Sequence, residues 1–189
     1  MNQVCISNLM VTLTKTNVIE EDLIRHMVLN SLRLYRKKFY KEYGELVLCY
    51  DSKHYWRRRE FPYYKGTRKK DRQQSKFDWN AIFEFRNRIR DELRQYLPYK
   101  VVEVDGAEAD DVIATLVKDQ GHRNIRLQNN MQPPQKVLIL SGDKDFIQLQ
   151  KYRFVHQYNP IQKKFMNGVD PKTYIAEHIM KGDRSDGIP

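Results

Sequence analysis

KVLILSGDKDF, residues 136–146, places four consecutive aliphatic residues directly before Ser-Gly and two aspartates separated by a single lysine. An apolar run this short, closed by turn residues, has the length of a strand buried on both faces. The spacing predicts a strand over residues 136–140 and a short helix over 143–150. Two further runs read the same way: ELVLCY at 45–50, followed by Asp51, and residues 100–104, shortly before Glu108. A fourth strand is expected over 154–158.

Helices are expected between these strands. Residues 20–43 carry Ile24, Met27, Val28, Leu32, Tyr35 and Phe39 at the 3.6-residue period, and Gly44 stops the pattern. Asp78 is a candidate cap for a helix to about Tyr96, with Ile82, Phe85, Ile89 and Leu93 on one face and Pro98 beyond its end. Another helix is expected over 108–118, its first turn acidic. Asp170-Pro171 is a cap followed by an N1 proline and opens a helix to about Lys181. Residues 121–135 contain Asn-Asn and Pro-Pro and read as a loop insertion. Strands alternating with helices give an α/β class, a central and mostly parallel sheet flanked by helices. Ligands of such sheets bind beyond the carboxyl ends of the strands.

The chain has 189 residues, enough for one domain with a sizeable core, and a formal net charge of +10. Cys5 and Cys49 sit in apolar surroundings and read as free thiols of a reducing compartment. They are too few for a structural zinc site. The sequence has no long uncharged apolar stretch and no signal-peptide pattern, so a soluble cytoplasmic protein is expected, a monomer with no membrane partner. The charge is segregated. Residues 53–72 hold nine Lys or Arg against Glu60 and Asp71, while residues 101–117 hold five acids and no Lys or Arg. A basic balance of this size points to an acidic partner, nucleic acid first.

Against that background the acids cluster: Asp51; Glu108, Asp110 and Asp111; Asp143 and Asp145; Asp183 and Asp186. Singly, each has an ordinary reading as a helix cap, an acidic first turn or a polar turn. Jointly, carboxylates delivered to one sheet edge repel one another unless something compensates. Hard divalent cations do so with oxygen ligands, and two such ions about 4 Å apart activate water and stabilise the leaving oxygen of a phosphodiester. Asp143 and Asp145, at i and i+2 of an extended segment, would point the same way. The five histidines are scattered and none reads as a general base.

Residues 53–76 have no clear period and read as a mobile or substrate-ordered arch. Tyr55, Trp56, Phe61, Tyr63 and Tyr64 alternate with Arg57, Arg58, Arg59, Lys65, Arg68, Lys69 and Lys70. Bases stack on such rings while the cations track phosphates. Lys65 and Arg68, on the turn that contains Gly66, are candidates for holding a scissile phosphate.

The pieces LVLCYDSKHYWRR, FPYYKGTR, VDGAEADDVIA, LILSGDKDFIQL and MKGDRSDGIP, in this order, resemble the flap endonuclease superfamily of 5′-nucleases, most closely its bacteriophage ribonuclease H branch. The resemblance covers almost the whole chain. It implies a hydrolase that uses two magnesium ions, with manganese as a substitute, and removes primers and flaps during replication by cutting RNA–DNA hybrids and 5′-flap DNA. Asp51, Glu108, Asp110, Asp111, Asp143, Asp145, Asp183 and Asp186 take the positions of its metal-site carboxylates. Tyr64, Lys65 and Arg68 take those of its arch residues, the Lys and Arg neutralising the scissile phosphate, and Arg57, Arg58, Lys69 and Lys70 of the basic run are expected nucleic-acid contacts with Tyr64. A single-strand-binding protein or a clamp is the replication partner it implies, and host cytoplasm the location if the chain is phage-encoded. The family's first ligand Asp ends a strand just before a segment like residues 1–7, and a helix–hairpin–helix module follows GDRSDGIP. The chain is therefore expected to be the catalytic domain, residues 1–189, clipped at both ends. The alternatives are a noncatalytic nucleic-acid-binding remnant of such a nuclease and a small toxin-type ribonuclease, the latter disfavoured by the basic arch and the GDxxD ending.

Overall fold

The computed structural model describes residues 20–66, 68, 72–75, 77–183 and 186–188. Cys5, Lys69, Lys70 and the segment 1–7 lie outside the described residues. The chain divides into two compact units, residues 1–109 and 110–189.

In the first unit, helix α1 (Glu21–Tyr43) leads into strand β1 (Val47–Tyr50), a five-residue helix α2 (Trp56–Glu60), helix α3 (Trp79–Tyr96) and strand β2 (Lys100–Glu103). The stripes expected on α1 and α3 form the core. Ile24, Val28 and Leu32 pack with Ile82, Phe85, Ile89 and Leu93 against Leu48 and Tyr50 of β1. Fully burying such a side chain contributes roughly 1.5–3 kcal/mol, which is why these positions outweigh the poor helix formers between them. Asp78 caps α3 by accepting hydrogen bonds from the amides of Asn80 and Ala81. Arg25 of α1 holds Glu92 of α3 with two guanidinium nitrogens, at 2.8 and 3.0 Å. Strands β1 and β2 pair in parallel, Tyr50 opposite Glu103, so their carboxyl ends lie at the same edge.

The arch is more ordered at its base than the sequence suggests. Tyr55 forms a parallel bridge with Gly106, and the Trp56 amide donates to the Gly106 carbonyl at 2.9 Å. Helix α2 follows, then a turn through Tyr63–Gly66, and Arg68, Arg72 and Gln73 are helical.

The second unit contains helix α4 (from Ala109 to Asn129), strand β3 (Val137–Leu140), a 3-10 helix (Lys144–Lys151), strands β4 (Val155–Asn159) and β5 (Lys164–Phe165), and helix α5 (Pro171–Lys181). β3 and β4 are parallel, and β5 turns back antiparallel on β4. Val117, Ile139, Phe146, Leu149 and Val155 form its core. Asp170 caps α5 through the Thr173 amide, as its sequence indicates. The class is α/β with parallel pairing, and among the described residues the strands form two small sheets.

The expected loop at 121–135 is a correction. Helix α4 runs through Gly121 to Asn129. A methyl group at Gly121 would make only ordinary contact with the Phe154 ring, at 3.5 Å, so the glycine neither breaks the helix nor is demanded by its packing. Buried Asn124 then ties the helix to the chain that follows it: its side-chain amide donates to the Gln135 carbonyl and accepts from the Gln135 amide.

Candidate metal and phosphate-binding site

In the first unit, Asp51 and Glu108 both lie past the carboxyl edge of the β1–β2 pair. Asp51 Oδ1 accepts a 2.7 Å hydrogen bond from the amide of Ala109, the first residue of α4. One oxygen of this expected metal ligand thus satisfies a helix N-terminus, where the amides lack partners within the helix. Glu108 is 5% exposed and fully engaged. Its Oε1 accepts from Lys65 Nζ at 2.8 Å, and its Oε2 from Arg57 Nη1 and the Tyr64 hydroxyl, each at 3.0 Å.

Lys65 reaches this position from φ 54, an uncommon conformation for a residue with a side chain. Its ammonium lies 4.8 Å from the centre of the Tyr64 ring and 6.0 Å from that of Tyr55. The two rings meet edge to face at 5.9 Å. A cation over aromatic faces and against a carboxylate is stabilised twice. Tyr64, an expected nucleic-acid contact, is buried, and its hydroxyl donates to Glu108. Arg57 is held by Glu108 and lies over Trp56, whereas Arg58 is exposed and lies over Tyr55. Arg68 is exposed, and its carbonyl accepts from Arg72 Nε.

In the second unit, Asp143 and Asp145 follow β3 at its carboxyl end. They are not at i and i+2 of an extended segment, because Asp143 is the N-cap of the 3-10 helix and its Oδ1 accepts from the Asp145 amide at 3.0 Å. Burial pushes the Asp145 carboxyl above the usual range, and the negative charges of Asp143, Asp183 and Asp186 add to that, opposed by His178. The Tyr174 phenol is likewise raised, by burial and then by Asp145, Asp143 and Asp183. His178 Nε2 stands 3.8 Å from Asp145 Oδ1 and 3.8 Å from Asp183 Oδ2, and its ring stacks on Tyr174. Sequence reasoning passes over this histidine. Its one local signal is the i,i+4 spacing from Tyr174 in a helix that ends one residue before Gly182-Asp183. Asp110 and Asp111 occupy the first turn of α4.

Among the described residues, no group of three or more His, Cys, Asp or Glu side chains is placed so as to hold a metal ion. The oxygen donors suit a hard divalent cation, which carboxylates hold while it keeps several waters, and neighbouring carboxylates are those such a cation relieves. No described helix is long and apolar enough to cross a membrane.

The family described as 5′-3′ exonuclease, N-terminal resolvase-like domain, matches residues 10–179. The chain is 38% identical over 198 aligned residues to ribonuclease H of Enterobacteria phage T4, covering 99% of this chain and 60% of that protein. It is 29% identical to the 5′-3′ exonuclease of Buchnera aphidicola subsp. Acyrthosiphon pisum, covering 80% of this chain and 50% of that one. Among solved structures, the T5 D15 protein co-crystallised with metal ions matches with a TM-score of 0.69 at 19% identity, covering 86% of this chain and 61% of that one. The T5 5′-exonuclease with bound zinc matches with a TM-score of 0.66 at 23% identity, covering 85% of this chain and 60% of that one. These likenesses show the fold, and the chain spans about 60% of the length of the phage proteins it matches.

Proposed function

Since the chain belongs to the 5′-3′ exonuclease N-terminal domain family, we propose that it is a magnesium-dependent 5′-nuclease. Its substrates are RNA–DNA hybrids and 5′-flap DNA, and manganese substitutes for magnesium. The observation that carries this reading is the gathering of Asp143, Asp145, Asp183 and His178 in one unit, where burial and then the charges of Asp143, Asp183 and Asp186 push the Asp145 carboxyl upward. A divalent ion, when bound, supplies activation of water and charge stabilisation at the phosphoryl oxygens. Asp143, Asp145 and Asp183 are the residues that would hold it, with Asp186, Asp110 and Asp111 as the further acids of the same unit. His178 balances part of the negative charge.

The first unit supplies cations for the substrate. Lys65 and Arg57 are held by Glu108 until a phosphodiester competes for them, and Arg58 and Arg68 are exposed to backbone phosphates. Phosphate contacts of this kind give affinity that falls with salt. The replication setting follows from the same reading: primers and flaps are the natural sources of such 5′ ends.

End-labelled 5′-flap DNA and an RNA–DNA hybrid, incubated with magnesium and with EDTA, test the proposal. Cleavage in magnesium only is expected. Asp143→Asn should lower the rate by at least ~100-fold while leaving substrate binding within about twofold, because it removes charge stabilisation at the reacting centre. No cleavage of either substrate in magnesium or manganese overturns the reading, and tight binding without turnover would identify a binding module instead.

A further inference from the structure

The loop that carries Asp143 has left the β-ladder. Leu140 is the last residue of β3 to pair, opposite Tyr158 of β4. Beyond it, residues 141–143 are supported by side chains of β4. Gln157 is completely buried on this strand. Its Nε2 donates to the carbonyls of Ser141 at 3.0 Å and Asp143 at 2.6 Å, and its Oε1 accepts from Gln150 Nε2 at 2.9 Å. Two carbonyl acceptors demand the amino side of the amide, so the orientation of the group is determined by its partners. On the same face two residues on, Asn159 lies so near Gly142 that a Cβ there would sit 2.7 Å from Asn159 Nδ2. Asn159 is itself fixed, accepting from the amides of Ile161 and Gln162. The backbone of Gln157 is anchored from the other side, its carbonyl accepting from the Met166 amide at 2.9 Å.

We propose that Gln157, oriented by Gln150, is a positioning residue for the Asp143–Asp145 metal ligands. It acts as an artificial rung of the sheet that fixes the Asp143 carbonyl, and hence the direction of the Asp143 carboxylate and the start of the 3-10 helix bearing Asp145. This rests on the metal-dependent reading above. An uncharged amide suits this role. Fully satisfied, it costs little to bury, and it adds no charge beside the acids.

The test is manganese binding to the full chain, read from the electron paramagnetic resonance signal of free Mn²⁺, alongside thermal unfolding in EDTA. Removing an outer partner of a metal ligand typically weakens affinity by ~10–100-fold. Gln157→Leu is expected in that range and Gln150→Leu near its lower end. Asn124→Leu removes an equally buried amide from the same unit without touching the loop, and should lower the melting temperature with affinity unchanged. If Gln157→Leu does not fold, Gln150→Leu decides the outcome. Wild-type affinity in the glutamine variants overturns the inference, and so does an equal loss in Asn124→Leu. No manganese binding by the wild type overturns the metal reading itself.

Discussion

Glu108 and Asp145 occupy equivalent places, each past the carboxyl end of a parallel strand, and their electrostatics are opposite. Glu108 is nearly inaccessible and its two oxygens serve Lys65, Arg57 and Tyr64. Asp145 is half-buried among Asp143, Asp183 and Asp186, with the His178 imidazole 3.8 Å away. The first carboxylate is neutralised by the protein's own cations. The second stands among other acids, with His178 opposing part of their charge. Topology delivers acids to a sheet edge, and the neighbouring residues determine whether that edge is an internal ion pair or a receptor for cations.

The largest effect that distinguishes the two belongs to Glu108. Removing one partner of a buried ion pair strands the other charges, at a cost of about 3 kcal/mol. Glu108→Ala should lower the unfolding free energy by that amount in urea titrations of the metal-free protein. A loss below ~1 kcal/mol would make the Lys65 and Arg57 pairs equivalent to surface bridges and remove the contrast.

Asp145 should behave in the opposite sense, with a smaller effect. Its folded proton affinity is raised, so the folded state binds more protons than the unfolded chain between the ordinary carboxylate range and the raised value. Wild-type stability therefore falls as pH rises through that window and recovers as pH is lowered. Asp145→Asn should melt slightly above the wild type at pH 7 without metal, a small gain because solvent screens this partly exposed carboxyl. The two should coincide below the ordinary carboxylate range. A variant less stable than the wild type at pH 7 would show that Asp145 is already compensated.

Those features that depend on nearby residues were legible in the sequence. Asp78 and the stripe Ile82, Phe85, Ile89 and Leu93 define α3 because cap and period are both local, and Asp170-Pro171 opens α5 for the same reason. The run at 137–140 and the parallel pairing it implies were legible because a fully apolar strand needs cover on both faces. What failed depends on distant partners. Gly121 looked like a break because the core that holds this helix, Val117 against Val155, is completed by residues far along the chain. The bond from the Tyr64 hydroxyl to Glu108 was not legible either, because its partner is 44 positions away. Gln157 and His178 carried no signal that singled them out, since an amide or an imidazole acquires a role only from what the fold places beside it. The acids were visible as a set, but the pairing of one with Lys65 and Arg57 and the gathering of others around His178 were not.

The most direct test of that division is the thermal shift produced by magnesium in the wild type and in Asp145→Asn. A ligand that binds only the folded state stabilises it by about 2.7 kcal/mol at a hundredfold excess over its dissociation constant. A saturating magnesium concentration should therefore raise the wild-type melting temperature by roughly 5–10 °C, and Asp145→Asn should lose most of that gain while being the more stable of the two in EDTA. An equal gain in both proteins, or none in the wild type, would contradict the division.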